Sequence, residues 1–395
     1  MAKVLLGWEM GTGLGHLRAL VPMLKGLQRH GHQPVLAVRT LSSVALFKDL
    51  NVDVFQAPYL VPKKKQATGS LADILDGLGW SDLNVVKMMT MAWQSIIEAV
   101  KPALIISDYS PGLNLAAFKR VPTVVIGTGF TVPPNRNPLP PIRPWMKDLP
   151  PQTLKKQRNI EEVIARVCEE LGISLPGHLA ELFHPFRSYV LSLELLDPYA
   201  RHRDEPQLPE LKNEAVGPRV AINKKKKMFF AYLDGAFSST PNILKALASL
   251  KHPCEAYVRD FSPQMRQKYS SPSLRLHAGP QALDYIFNDF RAMVHHGGSM
   301  CQDVAAAGLA QLLFPKQAEQ TISARLLADL GVAVGIPTAK ARQYEMVKKG
   351  LEIFLSKPRW LRATELSDRI RSQYKGRAMD KILEDCLQVL GGEGG

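Results

Sequence analysis

Cysteine is scarce in this sequence: its 395 residues contain four, Cys168, Cys254, Cys301 and Cys386. They lie far apart and form no CxxC pair, which argues against a disulfide framework and against a zinc site and leaves reduced thiols. No uninterrupted apolar run reaches the length a bilayer-spanning helix needs. The opening Met1–Trp8 has too short an apolar stretch, and no small-residue cleavage pattern, for a secretory leader. The expected location is therefore the cytoplasm. Acidic side chains are outnumbered, 36 Asp and Glu against 50 Lys and Arg, and the net charge of +14 implies attraction to something anionic. The lysine runs at 63–65, 155–156 and 224–227 carry no interleaved aromatic residues and belong to no recognisable nucleic-acid module. Nucleic acid is thus not an expected partner, and the runs read as solvated loops or as peripheral contacts with an anionic surface, such as the inner face of a membrane. No acidic pair after a strand has metal-ligand spacing, so neither a metal nor a cofactor is expected. No repeat of solenoid period is visible.

What is present is a soluble globular composition, 46% hydrophobic and 22% charged, on a chain long enough for two domains with a core each. Apolar runs alternate with helical stretches from the start: Val4–Trp8, then Leu17–His30, Val35–Val38 and Ser42–Leu50. The short β-rich runs Ala103–Asp108 and Val121–Ile126 extend the series. This βαβα order predicts an α/β fold with a parallel sheet. Between Pro133 and Pro151 the chain carries eight prolines, which excludes a regular helix or a central strand and predicts a long loop, either a lid or a solvated connector. A second break, Asp197–Gly217, precedes a new strand at Met228–Leu233 and reads as the domain linker. The βα alternation then resumes through Ala256–Val258, Leu274–Leu276 and Ala292–His295, and Tyr344–Leu390 has helical periodicity. The predicted division is 1–216, 217–358 and a C-terminal helical segment 359–395 that could pack back on the first domain.

The clearest chemical signal is the run from His295 through His296, Gly297, Gly298, Ser299, Met300 and Cys301 to Asp303. Glycines at a strand-to-helix turn let a phosphate approach the backbone, where the amides of a helix start favour negative charge. A tight turn uses the same glycines for conformational reasons alone, so the pair is weak evidence by itself. Its context is the ordered series Pro280–Gln281, His296–Gly297–Gly298, Gly308, Pro315, Glu319–Gln320, Ala324 and Leu330–Gly331.

That series resembles the nucleotide-sugar-binding signature of the UDP-glycosyltransferase superfamily, which includes bacterial macrolide and plant glycosyltransferases. The resemblance reaches the first domain through Gly13–Leu14–Gly15–His16–Leu17, which looks like the family's Gly-x-Gly-His turn, and through Asp108 at the end of a strand. It implies the GT-B architecture: two facing Rossmann-like domains with a donor and acceptor cleft between them. It also implies an inverting, metal-independent transfer from a UDP- or dTDP-sugar to a hydroxyl-bearing acceptor. Carried over to this sequence, His16 would be the base and Asp108 would orient its ring. Donor contacts would come from Gly13, Gly15, Pro280, Gln281, His296, Gly297, Gly298, Ser299, Cys301, Asp303, Glu319 and Gln320. His295 reads as structural.

The match has departures. Met300, Cys301 and Gln302 stand where small, hydroxyl or amide residues are usual, and Val304 stands where many members place a ribose-binding Glu. Asp303 is one residue away, which turns a helical side chain by about 100°. His277–Ala278–Gly279 lacks the tryptophan that stacks on the base, and Ser323 stands in place of Asn. A degenerate sugar-nucleotide-binding subunit and a sugar-nucleotide epimerase or hydrolase of the same fold therefore stay open. The apolar segment Leu71–Trp93 and Trp145–Met146 in the proline-rich loop fit either a lipophilic small-molecule acceptor or ordinary core.

Overall fold

A computed structural model describes residues 1–11, 15–44, 50–62, 68–221, 224, 227–374 and 377–391. The chain forms two compact units, one made of Met1–Glu210 together with Arg377–Gly395, the other of Leu211–Gly376. No helix described is long and apolar enough to cross a membrane.

The first unit holds six strands: β1 (Lys3–Trp8), β2 (Gln33–Val38), β3 (Asp53–Gln56), β4 (Leu104–Asp108), β5 (Thr123–Gly127) and β6 (Arg187–Val190). They pair in parallel in the order β3-β2-β1-β4-β5-β6. Alternation along the strands serves two cores. Val4, Leu6 and Trp8 join Leu36, Ile106 and Val124 under the helix Gly15–Arg29. Leu5 joins Val35, Ile105 and Trp93 under the helix Leu83–Val100. The buried stripe of Gly15–Arg29, with Leu17, Leu20, Val21, Leu24 and Leu27, follows the helical period.

The second unit repeats the plan with β7 (Lys227–Asp234), β8 (Cys254–Arg259), β9 (Leu274–His277), β10 (Phe290–His295), β11 (Ala310–Leu313) and β12 (Ala333–Gly335). Their order is β12-β11-β10-β7-β8-β9, again all parallel. Read from the β9 edge in one case and the β3 edge in the other, both sheets have the doubly wound order 3-2-1-4-5-6. In each, the order reverses between the first strand and the fourth, at β1/β4 and at β7/β10.

Two sequence expectations, the linker and the C-terminal segment, meet a different outcome, whereas the proline-rich segment is a loop as expected. The stretch Asp197–Glu210 is packed into the first unit, because its charges are paired: Arg203 Nε donates to Asp197 Oδ2 at 2.6 Å with both side chains buried, and Arg203 also donates to the Val132 carbonyl at 2.7 Å. A composition that suits a solvated linker thus belongs to a core, and the chain divides after Glu210 rather than at 216. The proline-rich loop has no regular structure but is pinned, with Leu139 and Ile142 buried, Ile142 N bonded to Gly69 O and Leu139 N to Gln157 Oε1. The C-terminal helical stretch splits. Helix Arg359–Gln373 belongs to the second unit, where Arg371 donates to the carbonyls of Ala215, Val216 and Gly217. Helix Ala378–Gly391 belongs to the first, where Ala378, Met379, Ile382 and Cys386 join the core beside Gly15–Arg29. Most apolar residues of Leu71–Trp93 are core as well, including Leu71, Leu75, Trp80, Val86 and Trp93.

Candidate active site

In the first unit the strand-order reversal brings the end of β1 beside the end of β4, with Trp8 opposite Asp108. The chain then turns into the helix Gly15–Arg29, whose second residue is His16. His16 Nδ1 lies 3.0 Å from Asp108 Oδ2, and the side chains are 17% and 4% exposed, so the ring is reachable while the carboxylate beneath it is not. A carboxylate only accepts, so Nδ1 carries the proton and Nε2 is left as the basic nitrogen. Trp8 stacks on the His16 ring at 5.0 Å between centroids. Its indole N–H donates to Met10 O at 2.6 Å, and Met10 N donates to Tyr109 O at 3.0 Å, which ties the two strand ends together.

Gly11 has φ of +82°, and a Cβ placed on it would come within 2.5 Å of His16 Nε2. Both the backbone and the space above the basic nitrogen therefore require glycine there. Gly15 is the first helical residue, with open space around its Cα. Gly13 lies outside the described residues.

Asp108 is free of the helix-capping duty that an Asp after a strand often has. That role falls to Glu9, buried at the end of β1: its Oε2 accepts from Gly112 N at 2.9 Å, from Leu113 N at 3.4 Å and from Trp93 Nε1 at 3.0 Å. Burial pushes the Glu9 carboxyl up to about 8 despite those three bonds and nearby Arg39.

In the second unit the corresponding reversal carries the turn His296–Ser299 at the end of β10. Gly297 and Gly298 have φ of +103° and +75°. A Cβ on Gly298 would meet nothing within 4 Å, so the turn is open there, whereas one on Gly297 would lie 3.1 Å from Gln320 Cβ. The following helix, Met300–Ala306, is seven residues long and Ser299 makes no side-chain cap to it. Gln281 follows β9 at the sheet edge and bonds Gly279 O. Glu319 and Gln320 occupy the first turn of helix Ala318–Asp329, where Gln320 Oε1 accepts from Lys316 N at 2.8 Å.

Both histidines of the turn are engaged. His295 is buried; its Nε2 donates to Gln311 Oε1 at 3.0 Å and its Nδ1 accepts from Gly297 N at 3.1 Å. His296 Nδ1 donates to Phe314 O at 2.9 Å, and its Nε2 accepts from Asp234 N at 3.1 Å, bridging the ends of β7, β10 and β11. The residue expected to touch a donor phosphate is thus a neutral strut at the reversal point, both ring nitrogens bonded to backbone. Two further residues expected at the donor are buried. Cys301 is fully buried, with its thiol held up by burial. Asp303 is also buried and accepts from Lys212 N at 3.2 Å and from Lys212 Nζ at 3.1 Å, fixing the chain's entry into this unit.

Burial lowers His295 to about 3 and His296 to about 4, from an ordinary 6.5. Between pH 6.5 and those values the unfolded chain binds protons that the fold does not, so this unit loses stability as pH falls through that window. His296→Ala is expected to make that acid loss shallower and to cost about 1–3 kcal/mol near neutral pH through the two orphaned backbone groups. Urea unfolding of both proteins across the window checks it; identical curves would refute the strut.

Two tandem α/β units, each doubly wound in the order 3-2-1-4-5-6, give this chain the GT-B fold. No family model and no curated protein sequence matches the chain. Among solved structures it is similar to the glycotransferase of kitacinnamycin, at 16% identity over 98% of this chain and 99% of that one, with a TM-score of 0.65. The glycosyltransferase VinC, solved in complex with dTDP, is 14% identical over 98% and 99%, with a TM-score of 0.65. The spinosyn rhamnosyltransferase SpnG, solved with spinosyn aglycone, is 16% identical over 97% and 100%, with a TM-score of 0.64.

Proposed function

We propose that this protein is an inverting glycosyltransferase that moves a sugar from a UDP- or dTDP-sugar to a hydroxyl of a lipophilic small molecule. The His16–Asp108 pair carries this reading. An acceptor hydroxyl is a poor nucleophile, and His16 Nε2 takes its proton as the oxygen attacks the anomeric carbon. The bond from that carbon to the diphosphate breaks, the nucleoside diphosphate leaves with the electron pair, and the anomeric centre inverts. Asp108 holds the Nδ1 tautomer and stabilises the imidazolium. The second unit binds the donor around the open turn at Gly298 and Ser299, with Gln281 toward the nucleoside and Glu319 and Gln320 toward the sugar hydroxyls.

Support for the donor class comes from dTDP in VinC, and for the acceptor class from the aglycone in SpnG. The net charge of +14 supports peripheral contact with an anionic membrane surface on the cytoplasmic side, where lipophilic acceptors collect. The test is release of UDP or dTDP from a panel of nucleotide sugars, with and without candidate acceptors. Release only with acceptor supports transfer, release without acceptor makes the protein a hydrolase, and binding with no release makes it a binding subunit.

Catalysis is expected to need no divalent metal. Among the described residues no three His, Cys, Asp or Glu side chains converge as a metal-holding group. Turnover that is unchanged by EDTA agrees with this, and turnover abolished by EDTA and restored by magnesium or manganese would overturn it.

A further inference from the structure

A cationic pair that the glycine signature does not contain stands on the carboxyl edge of the second sheet. Asp234 ends β7 and is the register partner of Arg259, which ends β8. Lys316 follows β11 and the Phe314 carbonyl that His296 holds. One oxygen, Asp234 Oδ2, accepts from Lys316 Nζ at 2.6 Å and from Arg259 at 3.0 Å, while Oδ1 accepts from Ala236 N at 3.0 Å. We propose that Arg259 and Lys316 grip the diphosphate of the nucleotide-sugar donor, whose oxygens replace the Asp234 carboxylate between them. This rests on the donor reading above and adds to it the residues that take the phosphate charge.

Position, charge and access support it. Ligands of doubly wound sheets gather outside the carboxyl ends of the strands at the order reversal, here between β7 and β10. Asp234 stands at that point, and its own N–H is bonded to His296. The lysine is coupled to the glycine turn: its backbone N–H is held by Gln320, whose Cβ lies against Gly297. Lys316 and Arg259 are 35% and 46% exposed, whereas Asp234 is 12% exposed, so the cations are reachable and the carboxylate sits beneath them.

Two cations sharing one carboxylate oxygen leave an excess of positive charge. Arg259 Nε also lies 3.4 Å from Asp260 Oδ2, but that side chain is 76% exposed and solvent screens it. Burial works to raise the Asp234 carboxyl, yet Lys316, the Ala236 amide and Arg259 outweigh it and hold it down at about 2. The site is therefore built around a permanent anion. A diphosphate offers several oxygens in place of one, and guanidinium bonds to it can be bidentate. Because the nucleoside diphosphate gains negative charge as it leaves, the pair would favour the transition state over the bound donor.

The test is calorimetry with UDP and dTDP on the wild-type protein, on Arg259→Gln, on Lys316→Gln and on the double variant. Each single change is expected to weaken diphosphate affinity by about ten- to a hundredfold. Arg259→Lys and Lys316→Arg, which keep the charges, should keep most of it. Wild-type affinity should also fall with added salt, and the double variant's should respond less. Undiminished affinity in the double variant, or a salt-independent wild type, would overturn the clamp alone. A wild type that binds no nucleoside diphosphate would overturn the donor reading as well. UDP-glucose and UDP-glucuronate separate phosphate from a sugar carboxylate as the gripped anion: equal losses on both support the diphosphate, and a loss confined to the glucuronate refutes it.

Discussion

His16→Ala is expected to lower kcat by about a hundred- to ten-thousandfold while leaving nucleotide affinity close to wild type. The affinity should hold because the side chains proposed to bind the donor, Gln281, Ser299, Glu319, Gln320, Arg259 and Lys316, are all on the second unit, and His16 belongs to the first. The rate should fall because the other carboxyl at this strand end, Glu9, is sealed beneath it, already accepts three N–H bonds and so cannot replace the imidazole. Asp108→Asn should act in the same direction. Its amide can donate to Nδ1 and so stabilise the other tautomer, which puts the proton on the nitrogen that must be basic. Since the two residues act together, the double variant should be little slower than His16→Ala. Gly11→Ala offers an independent check, because the added methyl group approaches Nε2 itself at a backbone φ of +82°. Single-turnover rates together with calorimetry on the folded variants decide the matter. A folded His16→Ala protein that transferred sugar at the wild-type rate would remove His16 as the base.

The architecture was largely legible because parallel strands buried on both faces read as continuous apolar runs. Val4–Trp8, Val35–Val38, Ala103–Asp108 and Ala292–His295 each coincide closely with a strand. The strands that escaped, β3, β6, β11 and β12, are three or four residues long, and β3 and β6 are edge strands carrying Asp53, Gln56 and Arg187. Too little pattern exists in such short segments to separate them from loop. Around the site, the histidine with its carboxylate partner was readable because a turn motif marked one and a strand end the other. The positively charged rim of the second sheet was not, because Asp234, Arg259 and Lys316 come from three strand ends that only the sheet order brings together. The burial of Cys301 and Asp303 was not legible for a related reason. Every residue of the short helix after the glycine turn except Met300 is buried, and a seven-residue segment with Gln302 and Asp303 in it carries no pattern that announces this. Glu9 did carry a signal: a carboxylate inside the buried run Leu5–Met10 has to be paired or protonated.

That carboxylate should make the first unit more stable in mild acid than in mild alkali, and Glu9→Gln should remove the difference. Its pKa is about 8 in the fold against 4.5 as the ordinary value, so below 4.5 the group is neutral in both the folded and the unfolded chain. As pH rises from 4.5 toward 8 the unfolded chain loses the proton and the fold keeps it, which lowers stability by about 1.4 kcal/mol per pH unit. At pH 7 the accumulated loss is on the order of 3 kcal/mol, enough to be a sizeable part of a domain's total. Glutamine keeps an oxygen for Gly112, Leu113 and Trp93 and never ionises, so the variant should gain most of that amount, less the cost of seating its NH2 group. Glu9→Ala should do the opposite at every pH, because it orphans three buried donors and opens a cavity. The two variants also part on activity. Glutamine leaves the Trp8 and Met10 neighbours of the base in place and should turn over near the wild-type rate, whereas alanine frees the strand end on which Trp8 stacks against His16. Urea unfolding at the acid and alkaline ends of the window, followed by tryptophan fluorescence in a Trp360→Phe background, reads the first unit, which holds the other four tryptophans, Trp8, Trp80, Trp93 and Trp145. If wild type and Glu9→Gln showed the same dependence on pH, the carboxyl would be ionised in the fold, and the buried proton assigned to it would not exist.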